Sequence, residues 1–164
     1  KRPAADMEYQ VIAVASSTGG PKVLHEIMPA LETIPVPIII TQHVNRDFAD
    51  QFVQWMGKAV SRTVKLAVDG EPLRHDHIYF APPDIHLEIG KGLLKYNDEP
   101  RLNFQKPSAD YMFSSLAKSY GKKAIAVILT GMGKDGAAGI SRRRPYSESL
   151  EGNRWLDRFV AQGD

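Results

Sequence analysis

Three short runs of β-branched residues constrain this chain more than anything else in it. They are Val11-Ile12-Ala13-Val14-Ala15, Ile38-Ile39-Ile40-Thr41 and Ala124-Ile125-Ala126-Val127-Ile128-Leu129. Each is apolar on both alternating sets of positions, the pattern of a strand covered on both faces. Each runs directly into a polar turn. Between the first two lies Pro21, suited to the first turn of a helix, with Val23, Leu24, Ile27, Met28 and Leu31 at helical spacing after it. Strand, turn, helix and strand in that order define a right-handed parallel unit. The expected class is therefore α/β: a doubly wound, mostly parallel sheet with helices on both faces.

The rest of the chain fits around that sheet. Asn45 or Asp47 can cap a helix whose apolar stripe is Phe48, Phe52, Trp55 and Met56. Val64–Val68 reads as a short strand closed by the turn Asp69-Gly70-Glu71-Pro72. His77–Ala81 and His86–Ile89 read as a pair of strands around Pro82-Pro83-Asp84. Leu93–Tyr96 can pair with the second of them across Gly90-Lys91-Gly92, which gives a small β-hairpin insertion. Ser108 is placed to cap a helix carrying Met112, Phe113, Leu116 and Ala117, with Gly121 as its stop. A helical segment is expected from Ala137.

Composition removes several function classes. The 164 residues are 43% hydrophobic and 24% charged, the balance of a globular domain. No apolar run reaches the ~18 residues of a membrane span, so membrane insertion is not expected. Cysteine is absent, which excludes disulfides and thiolate metal sites. A cytoplasmic domain is the simplest expectation. Basic and acidic residues number 21 and 19. That balance does not call for a polyanion, and no binding motif accompanies Arg142-Arg143-Arg144, so no nucleic-acid partner is expected. His75, His77 and His86 lie close in sequence, and alternation puts only His75 and His77 on one face; no metal site is expected.

In an open parallel sheet, ligands bind beyond the carboxyl ends of the strands. That rule gathers the turns Ser16–Gly20, Gln42–Val44 and Gly131–Gly136 at one crevice. Together they supply a hydroxyl, an imidazole and a carboxylate, the groups that nucleophilic acyl chemistry requires. Gly19 and Gly20 permit a tight bend, and the helix beginning at Pro21 points its free amides at the turn, a field suited to an oxyanion or an anionic ligand. Residue chemistry alone does not choose between Ser16 and Ser17. It also leaves open a simple binding turn, a structural role for His43, and Asp135 as a helix cap. A nucleotide-binding loop ranks below these, since neither Gly-x-Gly-x-x-Gly nor Gly-Lys-Ser/Thr is present.

Five ordered segments resemble one known family. Ala15-Ser16-Ser17-Thr18-Gly19-Gly20-Pro21 is similar to the Ser-Thr-Gly-Gly turn of the chemotaxis protein-glutamate methylesterases, the CheB-type catalytic domain. Ile40-Thr41-Gln42-His43 resembles its histidine segment, and Ile78–His86 its central hairpin. Lys106-Pro107-Ser108-Ala109-Asp110 resembles the lead into its next helix, and Val127–Gly136 its aspartate turn. The resemblance implies Ser17 as nucleophile, His43 as general base and Asp135 as the carboxylate that orients the base. It implies the Met132 amide as an oxyanion donor, with Thr18 nearby and Gly19 and Gly20 shaping the turn. It implies hydrolysis of glutamate methyl esters on the cytoplasmic helices of chemoreceptors, with release of methanol and deamidation of certain receptor glutamines. No cofactor is implied. Many members carry a receiver domain before the esterase domain, and others are joined to a methyltransferase.

The expected organisation is a linker remnant over 1–6, a catalytic domain over 7–140 and an atypical segment over 141–164, helical or disordered. The family's Gln-Asp-x-x-Ser and Met-Pro segments do not follow Ile140, so the fold is expected to be cut short at its C-terminal end. A catalytically impaired receptor- or anion-binding module of the same fold is the alternative.

Overall fold

The computed structural model describes residues 9–129. The expectations for Asp135, Met132, the linker remnant, the helix from Ala137 and the segment 141–164 lie outside the described residues.

The three buried runs are strands. β1 is Val11–Ser16, β2 is Ile38–Gln42 and β7 is Ala124–Ile128. They are joined in one sheet by β3, Thr63–Leu66, and β4, His77–Phe80, in the order β3-β4-β2-β1-β7. Every pairing in this sheet is parallel. Among the described residues three α-helices accompany it: α1, Gly20–Leu31; α2, Ala49–Gly57; and α3, Ala109–Tyr120. A two-stranded antiparallel sheet of β5, His86–Gly90, and β6, Leu93–Asn97, stands apart from it.

Two cores explain why the strands lack polar faces. Val14, Ile38, Ile40, Ile78 and Phe80 meet Leu24, Met28 and Leu31 of α1 and Val53 and Met56 of α2. On the opposite face Val11, Ala13, Ala15, Ile39 and Tyr79 meet Met112, Phe113 and Leu116 of α3 and Leu87, Ile89 and Leu94 of the hairpin. Alternate residues of one strand serve different cores, as the period of two requires. The sheet is thus wound on both faces, and the hairpin completes the layer that α3 begins.

Local signals mostly act where the sequence places them. Pro21 lies in the first turn of α1. Ser108 caps α3 by accepting from the Asp110 amide at 3.3 Å, and Gly121 ends the helix at φ +50°. Asn45 caps a short 3-10 turn, Arg46–Phe48, that leads into α2.

Three expectations need correction. β4 and β5 do not pair with each other: β4 lies between β2 and β3 in the main sheet, and β5 pairs only with β6. The Pro82-Pro83-Asp84 turn therefore changes layers instead of reversing a hairpin. His75 precedes β4, which starts at His77, so the two histidines do not share a strand face. The third strand expected over Val64–Val68 runs instead over Thr63–Leu66.

Candidate active site

β1 and β2 run in register, with Ser16 opposite Gln42 at their carboxyl ends. One residue further on, Ser17 and His43 leave the sheet together. The Ser17 Oγ lies 3.1 Å from His43 Nδ1. The parallel pairing alone accounts for this meeting, since 26 residues separate the two in the chain. This geometry favours Ser17 over Ser16. The Ser16 hydroxyl is fully buried and donates to Gln42 Oε1 at 2.5 Å, so it faces inward.

The imidazole's second nitrogen determines which form of the ring faces the serine. His43 Nε2 lies 2.9 Å from the Pro107 carbonyl. A carbonyl oxygen only accepts, so Nε2 carries the proton and donates. In the neutral ring Nδ1 is then the bare nitrogen, and it accepts from the Ser17 hydroxyl. That is the arrangement a general base needs before it takes a serine proton.

Pro107 is held in its own right. The Lys106–Pro107 peptide bond is cis. The Asp84 amide donates to the Lys106 carbonyl at 3.3 Å, and the Ser108 amide donates to His86 Nδ1 at 2.9 Å. Lys106 Nζ reaches Asp98 Oδ1 at 2.7 Å, and this contact holds the Asp98 carboxyl below its ordinary range. His86 Nδ1 accepts, so its Nε2 bears the proton and donates to the Pro100 carbonyl at 2.9 Å. His86 is a buried strut with both nitrogens engaged. His77 Nδ1 lies 2.7 Å from Asp76 Oδ1. Among the described residues no group of three or more His, Cys, Asp or Glu is arranged to hold a metal.

The serine turn has separate uses for its two glycines. Gly19 stands at φ +77°, a left-handed conformation that a side chain disfavours. Gly20 opens α1, and its amide donates to the Ser17 carbonyl at 2.8 Å. A Cβ on Gly20 would lie 2.1 Å from Gln42 Oε1 and 2.6 Å from Ser16 Oγ. Its missing side chain is a matter of space. Thr18 and Gly19 are exposed at the rim of the turn.

Three participants were not singled out from sequence. Gln42 was read only as a neighbour of His43. Pro107 contributes a backbone carbonyl, which leaves no trace in residue type. His86 carried a weak metal signal, and its real partners lie 14 and 22 positions away.

A doubly wound parallel sheet with a serine and a histidine converging at its carboxyl edge defines the class: an α/β domain with a serine–histidine pair at the ends of its strands. The chain belongs to the CheB methylesterase family, whose model matches residues 12–144. It is 43% identical over 132 residues to protein-glutamate methylesterase/protein-glutamine glutaminase 4 of Myxococcus xanthus, covering 79% of this chain and 37% of that protein. It is 39% identical over 135 residues to the protein-glutamate methylesterase/protein-glutamine glutaminase of Salmonella typhimurium, covering 80% and 39%. The chain thus spans less than half the length of these curated relatives. The crystal structure of the Thermotoga maritima CheB methylesterase catalytic domain superposes with a TM-score of 0.78 at 34% identity. That match covers 85% of this chain and 77% of the other.

Proposed function

We propose that this chain is the catalytic domain of a protein-glutamate methylesterase that demethylates chemoreceptors during chemotactic adaptation. The observation that carries the reading is the Ser17 Oγ to His43 Nδ1 approach of 3.1 Å, with Nε2 held by the Pro107 carbonyl.

Ser17 Oγ attacks the carbonyl carbon of a glutamate methyl ester while His43 Nδ1 takes its proton. The oxyanion develops beside the amino end of α1, whose dipole favours negative charge. His43 then returns the proton to the departing methoxy oxygen, and methanol leaves an acyl-serine. Water attacks that ester and gives a proton to His43; His43 passes it to the departing Ser17 oxygen, and the receptor glutamate leaves as an acid that ionises in water. A receptor glutamine enters by the same route with ammonia as the leaving group. The proposal includes Asp135 as the orienting carboxylate, which would take the Nε2 proton in place of the Pro107 carbonyl, and the Met132 amide, with Thr18, as oxyanion donors. It places the work at the cytoplasmic helices of the receptors. Among the described residues no helix is long and apolar enough to cross a membrane. A receiver or methyltransferase domain in a longer protein belongs to the same proposal.

The test is methanol release from methylated chemoreceptor, with Ser17→Ala run in parallel. Release is expected from the parent, and Ser17→Ala is expected to lose it by at least about 10⁴-fold. A Ser17→Ala protein as active as the parent overturns the mechanism. Receptor binding by a folded parent that releases no methanol supports the impaired binding module instead.

A further inference from the structure

We infer that Gln42 is a positioning residue for the reacting pair, its one side-chain amide fixing the backbone of the nucleophile and of the base together. The inference rests on the reading of Ser17 and His43 as nucleophile and base.

Gln42 ends β2 and is 4% exposed. Its Nε2 donates to the Ser17 carbonyl at 3.1 Å and to the His43 carbonyl at 3.1 Å. Its Oε1 accepts from the Ser16 hydroxyl at 2.5 Å. The orientation of the amide is not interchangeable. Both carbonyls can only accept, so the nitrogen must face them and the oxygen must face Ser16. Both of its N–H groups are thereby used on the two residues that carry the reacting atoms.

The surroundings are shaped to this amide. Gly20 presents no side chain where a Cβ would lie 2.1 Å from Oε1. The Gly20 amide donates to the same Ser17 carbonyl that Gln42 holds. Without the amide, the Ser17 carbonyl keeps the Gly20 amide, but the link from it to the His43 carbonyl is gone. The two backbones then lose their common donor, and each can shift relative to the other. Turning either carbonyl swings the attached side chain, and the 3.1 Å approach of Ser17 to His43 opens. A misplacement of about 1 Å costs on the order of 100-fold in rate.

A role in positioning differs from a role in filling space. Gln42→Met keeps length and bulk but has no donor, and Gln42→Glu keeps the shape but puts acceptors against acceptors. Both are compared with the parent in methanol release from methylated receptor, with Tm and circular dichroism as folding controls. The expected result is a kcat lower by roughly 100-fold with KM within about threefold, and a matching slowing of Ser17 labelling by a fluorophosphonate. Gln42→Asn retains an amide one methylene shorter, and the same loss is expected if Met and Glu do not fold. A folded variant with the parent's kcat overturns the inference, as does a loss confined to KM. The parent is assayed first: no release, or release that survives Ser17→Ala, defeats the underlying reading instead. Ser17-dependent release with indifferent Gln42 variants defeats this inference alone.

Discussion

Gly20 and Gly19 stand side by side and do different things. Gly19 supplies a left-handed backbone, while Gly20 supplies empty volume beside Ser16 and Gln42. An alanine at position 20 must displace backbone-tethered groups that bear on Ser17. Gly20→Ala is expected to cost about 1–3 kcal/mol in stability, as overpacking does. It is also expected to lower methanol release by on the order of 100-fold through the shifted turn. Denaturant unfolding and the receptor assay check the two parts; an alanine variant with the parent's stability and rate would show that the corner is slack. At this scale the glycine pair was legible in the sequence, but its division of labour was not. The chain shows two glycines; only the crossing of β1 and β2 shows what each faces.

Between elements, Arg62 is the principal fastener. Its guanidinium donates to five carbonyls: Leu31, Ile34 and Val36 between α1 and β2, and His75 and His77 at the entry to β4. The distances run from 2.7 to 3.1 Å. Burial lowers its pKa from the usual arginine range, and Glu32 and Asp76 oppose that. The two terminal nitrogens of the planar fork, with four N–H groups, serve all five carbonyls, while the buried Nε has no partner among the described residues; an ammonium with three donors cannot do the same. Arg62→Met is expected to destabilise the fold by about 2–4 kcal/mol by orphaning those acceptors, with Arg62→Lys recovering part of it. Urea midpoints at fixed slope measure this, and a change under about 0.5 kcal/mol would mean water takes over the carbonyls. Nothing around Arg62 in the sequence hints at this role. Its acceptors are backbone atoms of residues 13 to 31 positions away.

For the molecule as a whole, the layer under α3 carries a chemical vulnerability to alkali. Burial raises the phenol pKa of Tyr79, Tyr96 and Tyr120 above the ordinary value of 10.0. Tyr79, in the core under α3, is fully buried. A phenol with a raised folded pKa keeps its proton in the fold after the unfolded chain has released its own. Its contribution to stability is complete below pH 10 and is lost as pH rises through the folded value. The expected outcome is a Tm that declines from about pH 10 upward, and declines less in Tyr120→Phe. A parent and variant with superimposable alkaline limbs would remove Tyr120 from the account.

The sequence by itself determined the architecture and the edge at which a serine turn and His43 meet. Three β-branched runs on a chain without cysteine can bury both faces only in a parallel sheet under helices, and such a sheet delivers its turns to one edge. The choice of Ser17 over Ser16 came from the structure, in which β1 runs through Ser16 and β2 through Gln42, so that Ser17 and His43 each sit one residue past a strand end. The layer change at Pro82–Asp84 was hidden because a short apolar strand reads alike whether its partner is sequential or distant. What only the tertiary structure decided is the support of the pair: the Gln42 amide across two strands, the Pro107 carbonyl behind His43, and His86 behind Pro107. Each of these acts on or through backbone groups far along the chain. Backbone carbonyls and amides are identical at nearly every residue, so their partners are set by where the fold carries them and not by the letters of the sequence.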